Sequence, residues 1–134
     1  MSQNDEELIR RWFNEVWNER RPDVIYNLFA QDSIGHMEGA EVVGPDQFRE
    51  YYSELTTIFP DLRITVEEII SQGQTVAVRW TVNATHQGRG LGLEPTNRKV
   101  SFRGMTWMHL RDGKIVDGWD SWNQEALMQQ LRNK

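Results

Sequence analysis

The chain has 134 residues, a formal net charge of −5 and no cysteine. This length suits a core that forms without disulfides or metal, so we predict a single domain over residues 1–134. The missing cysteines exclude a disulfide framework, a thiol nucleophile and a cysteine zinc site. Because an acidic chain lacks the side chains that neutralise phosphates, we expect neither nucleic acid nor an anionic membrane as a partner.

The first residues of the chain, Met-Ser-Gln-Asn-Asp-Glu-Glu, are acidic. They lack the basic and apolar regions of a signal peptide. No apolar run approaches the roughly 20 residues of a membrane helix. We therefore expect a cytoplasmic protein.

Three helices are predicted in the first 60 residues. Apolar residues recur at helical spacing over residues 8–17, 22–29 and 44–59. Pro22 and Pro45 lie in the first turns of the second and third helices, where proline is favoured. Each predicted helix therefore has one apolar face.

The rest of the chain is predicted to be extended. Two short segments, 33–38 and 41–43, precede the third helix, and from Leu62 onward apolar residues alternate with polar ones. Turns are predicted at residues 71–74 and 111–114, the second with the Asp-Gly pair typical of hairpins. The predicted long strands then cover 62–66, 76–84, 98–110 and 115–122, and a short helix follows at 124–131.

Helices followed by long antiparallel strands predict an α+β fold, with three N-terminal helices packed on a curved, mostly antiparallel sheet. Such a sheet closes over the helices as a cone and leaves an internal pocket, the default position for a binding site. The six tryptophans of the chain have two interpretations. They form core and subunit contacts, or at least two of them line a pocket for a flat hydrophobic ligand.

Three stretches resemble a known family. They are Ile58-Phe59-Pro60-Asp61-Leu62, Ala84-Thr85-His86-Gln87-Gly88, and the closing segment 112–120 that ends in Gly118-Trp119-Asp120. Their order and spacing resemble SnoaL-like polyketide cyclases of the nuclear transport factor 2-like (cystatin-like) superfamily. The resemblance covers nearly the whole chain and implies the same cone-shaped fold.

The resemblance also implies a chemistry. In the characterised cyclases, an acidic residue at the position of Asp120 is the general acid and base of an intramolecular aldol condensation, with no metal and no organic cofactor. Such chemistry requires a carboxylate in a dry pocket, where desolvation raises its pKa. The expected ligand is a small hydrophobic carbonyl compound. The alternatives are a binding protein without catalysis, and isomerase or epoxide hydrolase chemistry on the same scaffold.

Three residues are catalytic candidates: Asp120, His36 and His86. On the last strand Asp120 lies on the same face as Val116 and Gly118, because alternate residues of a strand share a face. A bulge could bring Asp117 inward instead. His36 matches a position where family members often carry an inward histidine. His86 ends an apolar row, where a structural role is the alternative. Because the histidines are widely separated in the sequence, we expect no metal site.

Five further residues are candidates for substrate binding: Tyr51, Tyr52, Trp107, Trp122 and Thr106. A tyrosine hydroxyl on the third helix can stabilise an oxyanion, although most such tyrosines only pack. Thr106, on the strand before Asp120, is a candidate for a helping polar group.

A homodimer or higher homo-oligomer is also expected. Either the row that contains Trp80 or the row that contains Ile115 and Trp119 supplies apolar area that one layer of helices cannot cover. We predict that this row forms the subunit interface.

Overall fold

Helices precede the long strands along the chain, as predicted. The computed structural model describes residues 2–37 and 39–132. The elements in order are α1 (Ser2–Arg11), a π-helix (Trp12–Asn18), α2 (Val24–Leu28), β1 (Phe29–Met37), β2 (Ala40–Val43), α3 (Gly44–Ile58), β3 (Arg63–Gln72), β4 (Thr75–Thr85), β5 (Lys99–Arg111), β6 (Lys114–Trp122) and α4 (Gln124–Arg132).

The six strands form one sheet in the order β2-β1-β6-β5-β4-β3. Only β1 and β6 are parallel neighbours among these pairs, and the other neighbours are antiparallel. The sheet curves around the helices, so the buried side chains of both layers meet inside a cone. The α+β prediction is confirmed. Within the described residues, no helix is both long and apolar enough to cross a membrane.

The first predicted helix is divided into two kinds of helix. It begins as α1 and continues as a π-helix, in which the Glu19 amide donates to the Asn14 carbonyl across five residues at 2.8 Å. The wider turn changes the helical phase and still buries Trp12, Phe13 and Trp17 on the sheet side. Long π-helices are rare and often lie at functional sites.

Several boundaries differ from the prediction, and the largest difference is in β3, which continues to Gln72 beyond its predicted end at residue 66. The second helix begins at Val24 and ends at Leu28, and Phe29, which the sequence pattern assigned to this helix, is the first residue of β1. The first extended segment is therefore longer than predicted, and Glu38 at its predicted end lies outside the described residues.

Both predicted hairpins are confirmed. Gln72 pairs with Thr75 across the β3–β4 turn, and Arg111 pairs with Lys114 across the β5–β6 turn. In the second turn Asp112 and Gly113 have φ angles of 54° and 75°, which are typical of the two central residues of a type I′ turn. This turn sets the register of β6 against β5.

Candidate functional site

A cavity lies between the helices and the concave face of the sheet. Its volume is about 80 Å³. Its wall is largely aromatic and aliphatic, with the polar groups concentrated on α3, β4, β5 and β6. The lining residues are Trp12, Phe13, Trp17, Phe29, Gly35, Met37, Phe48, Tyr51, Leu55, Leu62, Ile64, Trp80, Val82, Phe102, Thr106, Met108, Ile115, Gly118, Asp120 and Trp122.

Asp120 lies in the cavity wall on β6, together with Gly118 and Trp122. The pairing of β5 and β6 shifts by one residue between Leu110–Ile115 and His109–Asp117, so Val116 forms a bulge. The bulge lets Ile115 and Gly118 both face inward, and it leaves Asp117 outside the cavity wall. The structure therefore brings Asp120, and not Asp117, to the cavity.

The carboxyl group of Asp120 accepts a hydrogen bond from Thr106. The two residues are direct cross-strand partners, and Thr106 Oγ1 lies 2.6 Å from Asp120 Oδ1. Thr106 is buried and in turn accepts a hydrogen bond from Trp80 Nε1 at 2.8 Å. A short hydrogen bond to a carboxylate stabilises its ionised form, whereas burial favours its neutral form.

Tyr51 of α3 reaches the cavity, whereas Tyr52 does not. Tyr52 packs against Trp17 in the core, with ring centroids 5.2 Å apart, so its predicted place in the cavity is corrected. Burial raises the pKa of the Tyr51 phenol, and the negative charge of Asp120 raises it further. The hydroxyl therefore keeps its proton at neutral pH.

The raised pKa of Tyr51 predicts a pH dependence of stability. In the unfolded chain this phenol ionises near its ordinary pKa of 10.0, and in the folded chain it does so only at higher pH. Its contribution is complete below the unfolded pKa and is lost as pH rises above it. As pH rises above 10.0, the free energy of unfolding should therefore fall more steeply for the parent than for Tyr51→Phe. Urea unfolding at each pH measures this difference, and parallel curves would contradict it.

Four of the six tryptophans line the cavity: Trp12, Trp17, Trp80 and Trp122. Three of them, Trp12, Trp17 and Trp80, are also buried core residues, so both interpretations of the tryptophans apply, and a flat ligand in the cavity stays a prediction. Trp122 lies in the wall as predicted, stacked on Phe102 with centroids 4.8 Å apart. Trp107 does not, because its position on β5 places it on the opposite face from Thr106, where it is 52% exposed. Its predicted role in the cavity is corrected.

His36 also lies away from the cavity, contrary to the prediction. Its neighbours Gly35 and Met37 line the cavity, so the alternation of β1 directs His36 to the outer face of the sheet. There its Nδ1 lies 2.9 Å from Glu41 Oε2, and its ring stacks on Trp119 with centroids 4.9 Å apart. A side chain on the outer face has no access to a substrate inside the cone.

His86, the remaining catalytic candidate, lies outside the cavity as well. It is fully buried at the end of β4, outside the cavity wall, and packs against Phe59. The Thr96 amide donates to its Nδ1 at 3.2 Å, and its backbone bonds to Asn97 and Arg98. These bonds tie the glycine-rich segment between β4 and β5 to the end of β4. The position and contacts of His86 therefore fit the structural role that was the alternative to catalysis.

The outer face of the sheet carries exposed apolar area, and of the residues named for the two predicted rows only Trp119 contributes to it. Trp80 and Ile115 are buried inside the cone. The exposed apolar residues of the outer face are Ile70 at 63%, Met105 at 60%, Trp107 at 52% and Trp119 at 39%. All four line a groove of about 430 Å³.

We expect the outer face to join two copies of the chain, because an exposed apolar patch of this kind usually marks an interface. Trp107→Glu should raise the dimer dissociation constant at least about tenfold, since a buried interface tryptophan contributes well over about 1.4 kcal/mol. Leu91→Glu, which replaces an exposed apolar residue of the loop after β4, is the matched control. Sedimentation velocity at micromolar concentration measures both, and a monomeric parent would contradict the expectation.

Several lining residues were not singled out from the sequence. The N-terminal helix contributes Trp12, Phe13 and Trp17, and the strands contribute Gly35 and Phe102. Their apolar periodicity indicated burial, but a residue that lines a cavity and one that fills a core give the same pattern. Within the described part of the chain, no three His, Asp or Glu side chains are arranged to hold a metal ion.

The chain is similar to known proteins over nearly its whole length. The family model for SnoaL-like polyketide cyclases matches residues 7–131. No curated protein matches the chain.

Solved structures share the fold. A candidate SnoaL-like polyketide cyclase from Jannaschia sp. CCS1 is 22% identical with a TM-score of 0.92, covering 100% of this chain and 95% of that chain. AclR, a candidate hydroxylase from Streptomyces galilaeus, is 30% identical with a TM-score of 0.87, covering 98% and 82%. IdmH, a candidate polyketide cyclase from Streptomyces antibioticus, is 24% identical with a TM-score of 0.84, covering 95% and 97%.

Proposed function

The chain belongs to the SnoaL-like polyketide cyclase family, and from this premise we propose that it catalyses cofactor-independent acid/base chemistry on a small hydrophobic carbonyl compound. The reaction class is intramolecular aldol cyclisation or a closely related enolisation. Asp120 is the proposed general acid and base.

One observation carries the proposal: the half-buried carboxyl group of Asp120 lies in the wall of a cavity that is otherwise mostly apolar. A carbonyl compound held against this wall presents its α-carbon to a carboxylate that little water surrounds. Proton transfer at such a site is favoured when the base has a pKa near the working pH. The Thr106 hydroxyl donates a hydrogen bond to the same carboxyl group at 2.6 Å, so the base is also held by a polar neighbour.

The proposed reaction has three steps. The Asp120 carboxylate takes a proton from the α-carbon, and the electron pair of the C–H bond forms an enolate. The enolate carbon attacks a second carbonyl group of the same molecule, so a C–C bond forms and the attacked oxygen becomes an alkoxide. The alkoxide then takes the proton from Asp120, which regenerates the carboxylate. No oxidant, reductant or external nucleophile is consumed.

Tyr51 is the proposed stabiliser of the enolate. Its phenol lines the same cavity as Asp120, and burial holds its pKa above the ordinary value. A neutral phenol donates a hydrogen bond to an oxyanion, and in a dry site such a bond is stronger than in water. The pair of Asp120 and Tyr51 thus supplies a proton acceptor and an oxyanion donor.

The size of the cavity supports a small substrate. Its volume is about 80 Å³, whereas pockets for drug-sized ligands measure about 300–1,000 Å³. A compound of one ring or an open chain needs the least displacement of the aromatic wall. A polycyclic substrate would require several of these side chains to move.

The alternatives differ in which groups they require. Epoxide hydrolysis on this scaffold requires an Asp-Arg-Asp group, and no arginine is among the described residues that line the cavity. Double-bond isomerisation shares the first proton abstraction and differs only in where the proton returns. A binding protein without catalysis would hold the same ligand and leave its C–H bonds intact.

Exchange of α-protons for deuterium tests the proposal without knowledge of the product. Small hydrophobic ketones, β-keto esters and unsaturated ketones are incubated with the protein in D₂O, and proton NMR follows the α-C–H signals. We expect catalysed exchange, or cyclised product, for at least one compound that binds. Binding without any exchange across the set would favour the non-catalytic alternative.

A further inference from the structure

Trp80 forms the outer end of a hydrogen-bonded chain that reaches Asp120. Its indole Nε1–H donates to Thr106 Oγ1 at 2.8 Å, and both residues are at least 94% buried. An indole N–H only donates, whereas a hydroxyl group has one proton to donate and two lone pairs that accept. The bond from Trp80 therefore occupies an accepting position of the Thr106 hydroxyl and restricts the directions in which its own proton points.

The single hydroxyl proton of Thr106 points to the carboxyl group of Asp120, the proposed base. Thr106 Oγ1 lies 2.6 Å from Asp120 Oδ1, which is within the range of charge-assisted O–H···O⁻ bonds. Because the hydrogen bond from Trp80 fixes the orientation of the Thr106 hydroxyl, the bond from that hydroxyl to Asp120 restricts rotation of the carboxyl group. A hydroxyl group without Trp80 would be able to turn and accept a hydrogen bond from a ligand or a water molecule.

Gly104 provides the space that the indole needs. It is the cross-strand partner of Trp80 and lies two residues before Thr106 on the same face of β5. A Cβ atom at Gly104 would lie 2.5 Å from Cη2 and 2.6 Å from Cζ2 of the indole. It would also lie 2.8 Å from the Cβ of Trp122, so the strand would have to shift or the indole would have to leave.

We propose that Trp80 is a positioning residue, which acts through the Thr106 hydroxyl to hold the Asp120 carboxyl group in the orientation that accepts a proton, and that Gly104 makes this arrangement possible. The inference rests on the proposed function, because it concerns the same base. It adds that Trp80 and Gly104, on neighbouring strands, determine the orientation of the Asp120 carboxyl group, although Gly104 lies outside the cavity wall.

The pKa of Asp120 tests the inference independently of turnover. Carbon NMR of protein labelled at the aspartate carboxyl carbons follows each group with pH, and Asp120→Asn assigns the signal. Thr106→Val removes the hydrogen bond and should raise the pKa of Asp120 by about one unit or more, because the ionised form loses its donor. Thr106→Ser keeps the hydroxyl group and should restore most of the parental value.

Trp80→Phe removes the donor and keeps a ring, so the pKa of Asp120 should rise in the same direction but by less. Gly104→Ala, whose added methyl group meets the Trp80 indole, should raise the pKa of Asp120 in the same direction. Trp122→Phe is the matched control, since it shortens another indole of the same wall and should leave the pKa near the parental value. If Thr106→Val does not fold, Trp80→Phe and Gly104→Ala decide the question.

An unchanged Asp120 pKa in folded Thr106→Val and Trp80→Phe would overturn the inference. So would a Trp122→Phe variant that moves the pKa as far as Trp80→Phe does. The failure of the proposed function is distinguishable from either result. A pKa that shifts as expected, in a protein whose Asp120→Asn variant exchanges α-protons at the parental rate, would overturn Asp120 as the base and leave the positioning chain intact.

Discussion

Asp120→Asn is expected to lower the rate of catalysed α-proton exchange by about 10²–10⁴-fold, the usual effect of losing a general base. The amide keeps the shape of the side chain but does not accept a proton from carbon. Ligand binding should survive, because the apolar wall supplies most of the contact area. The measurement is the exchange rate by NMR together with the ligand affinity by calorimetry.

Asp117→Asn is the matched control for this variant. Asp117 lies on the same strand, three residues before Asp120, but outside the cavity wall, with Oδ1 3.7 Å from Nε2 of His36. The same chemical change there should leave exchange within about twofold of the parent, since surface substitutions have small effects. Parental exchange in Asp120→Asn, or equal losses in both variants, would refute Asp120 as the base.

Phe48→Ala is expected to destabilise the fold by about 3–5 kcal/mol, the range for removing a buried aromatic side chain. Phe48 is 4% exposed and forms the centre of an aromatic cluster on α3. Its ring centroid lies 4.9 Å from that of Trp12 and 5.1 Å from that of Phe29. Urea denaturation measures the loss, and the melting temperature should fall by at least about 10 °C.

Phe48→Leu is the control, because leucine keeps much of the buried volume. It should cost clearly less than the alanine variant, since the cost of such a change grows with the cavity that remains. A loss below about 1 kcal/mol for Phe48→Ala would contradict the aromatic cluster as a main source of stability. It would indicate that the helices collapse into the space and close the cavity.

The fold was largely predictable because its signals are local. Helical spacing on the first 60 residues and alternation afterwards reflect the geometry of single elements. The hairpin at Asp112–Gly113 was predictable for the same reason, since these residues tolerate positive φ angles. The π-helix at Trp12–Asn18 was not, because apolar spacing does not distinguish π-helical from α-helical hydrogen bonds over a few residues.

The candidate site was predictable in part. Asp120, Thr106, Tyr51 and Trp122 lie in the cavity wall as expected, and four predicted residues do not: His36, His86, Tyr52 and Trp107. The family resemblance indicated the position of Asp120. Strand parity agreed with it, whereas only the family resemblance placed His36 on the inner face, and the structure contradicts that placement.

The sequence alone determined the class of fold, the two hairpins and the candidate acid at position 120, because each follows from a local pattern or a family motif. Tertiary structure alone decided which neighbouring residues face inward. The bulge at Val116 brings both Ile115 and Gly118 to the cavity, and the alternation of β1 turns His36 away from it. The chain from Trp80 through Thr106 to Asp120 joins three strands. Such contacts depend on the register between strands, which a pattern along one strand does not contain.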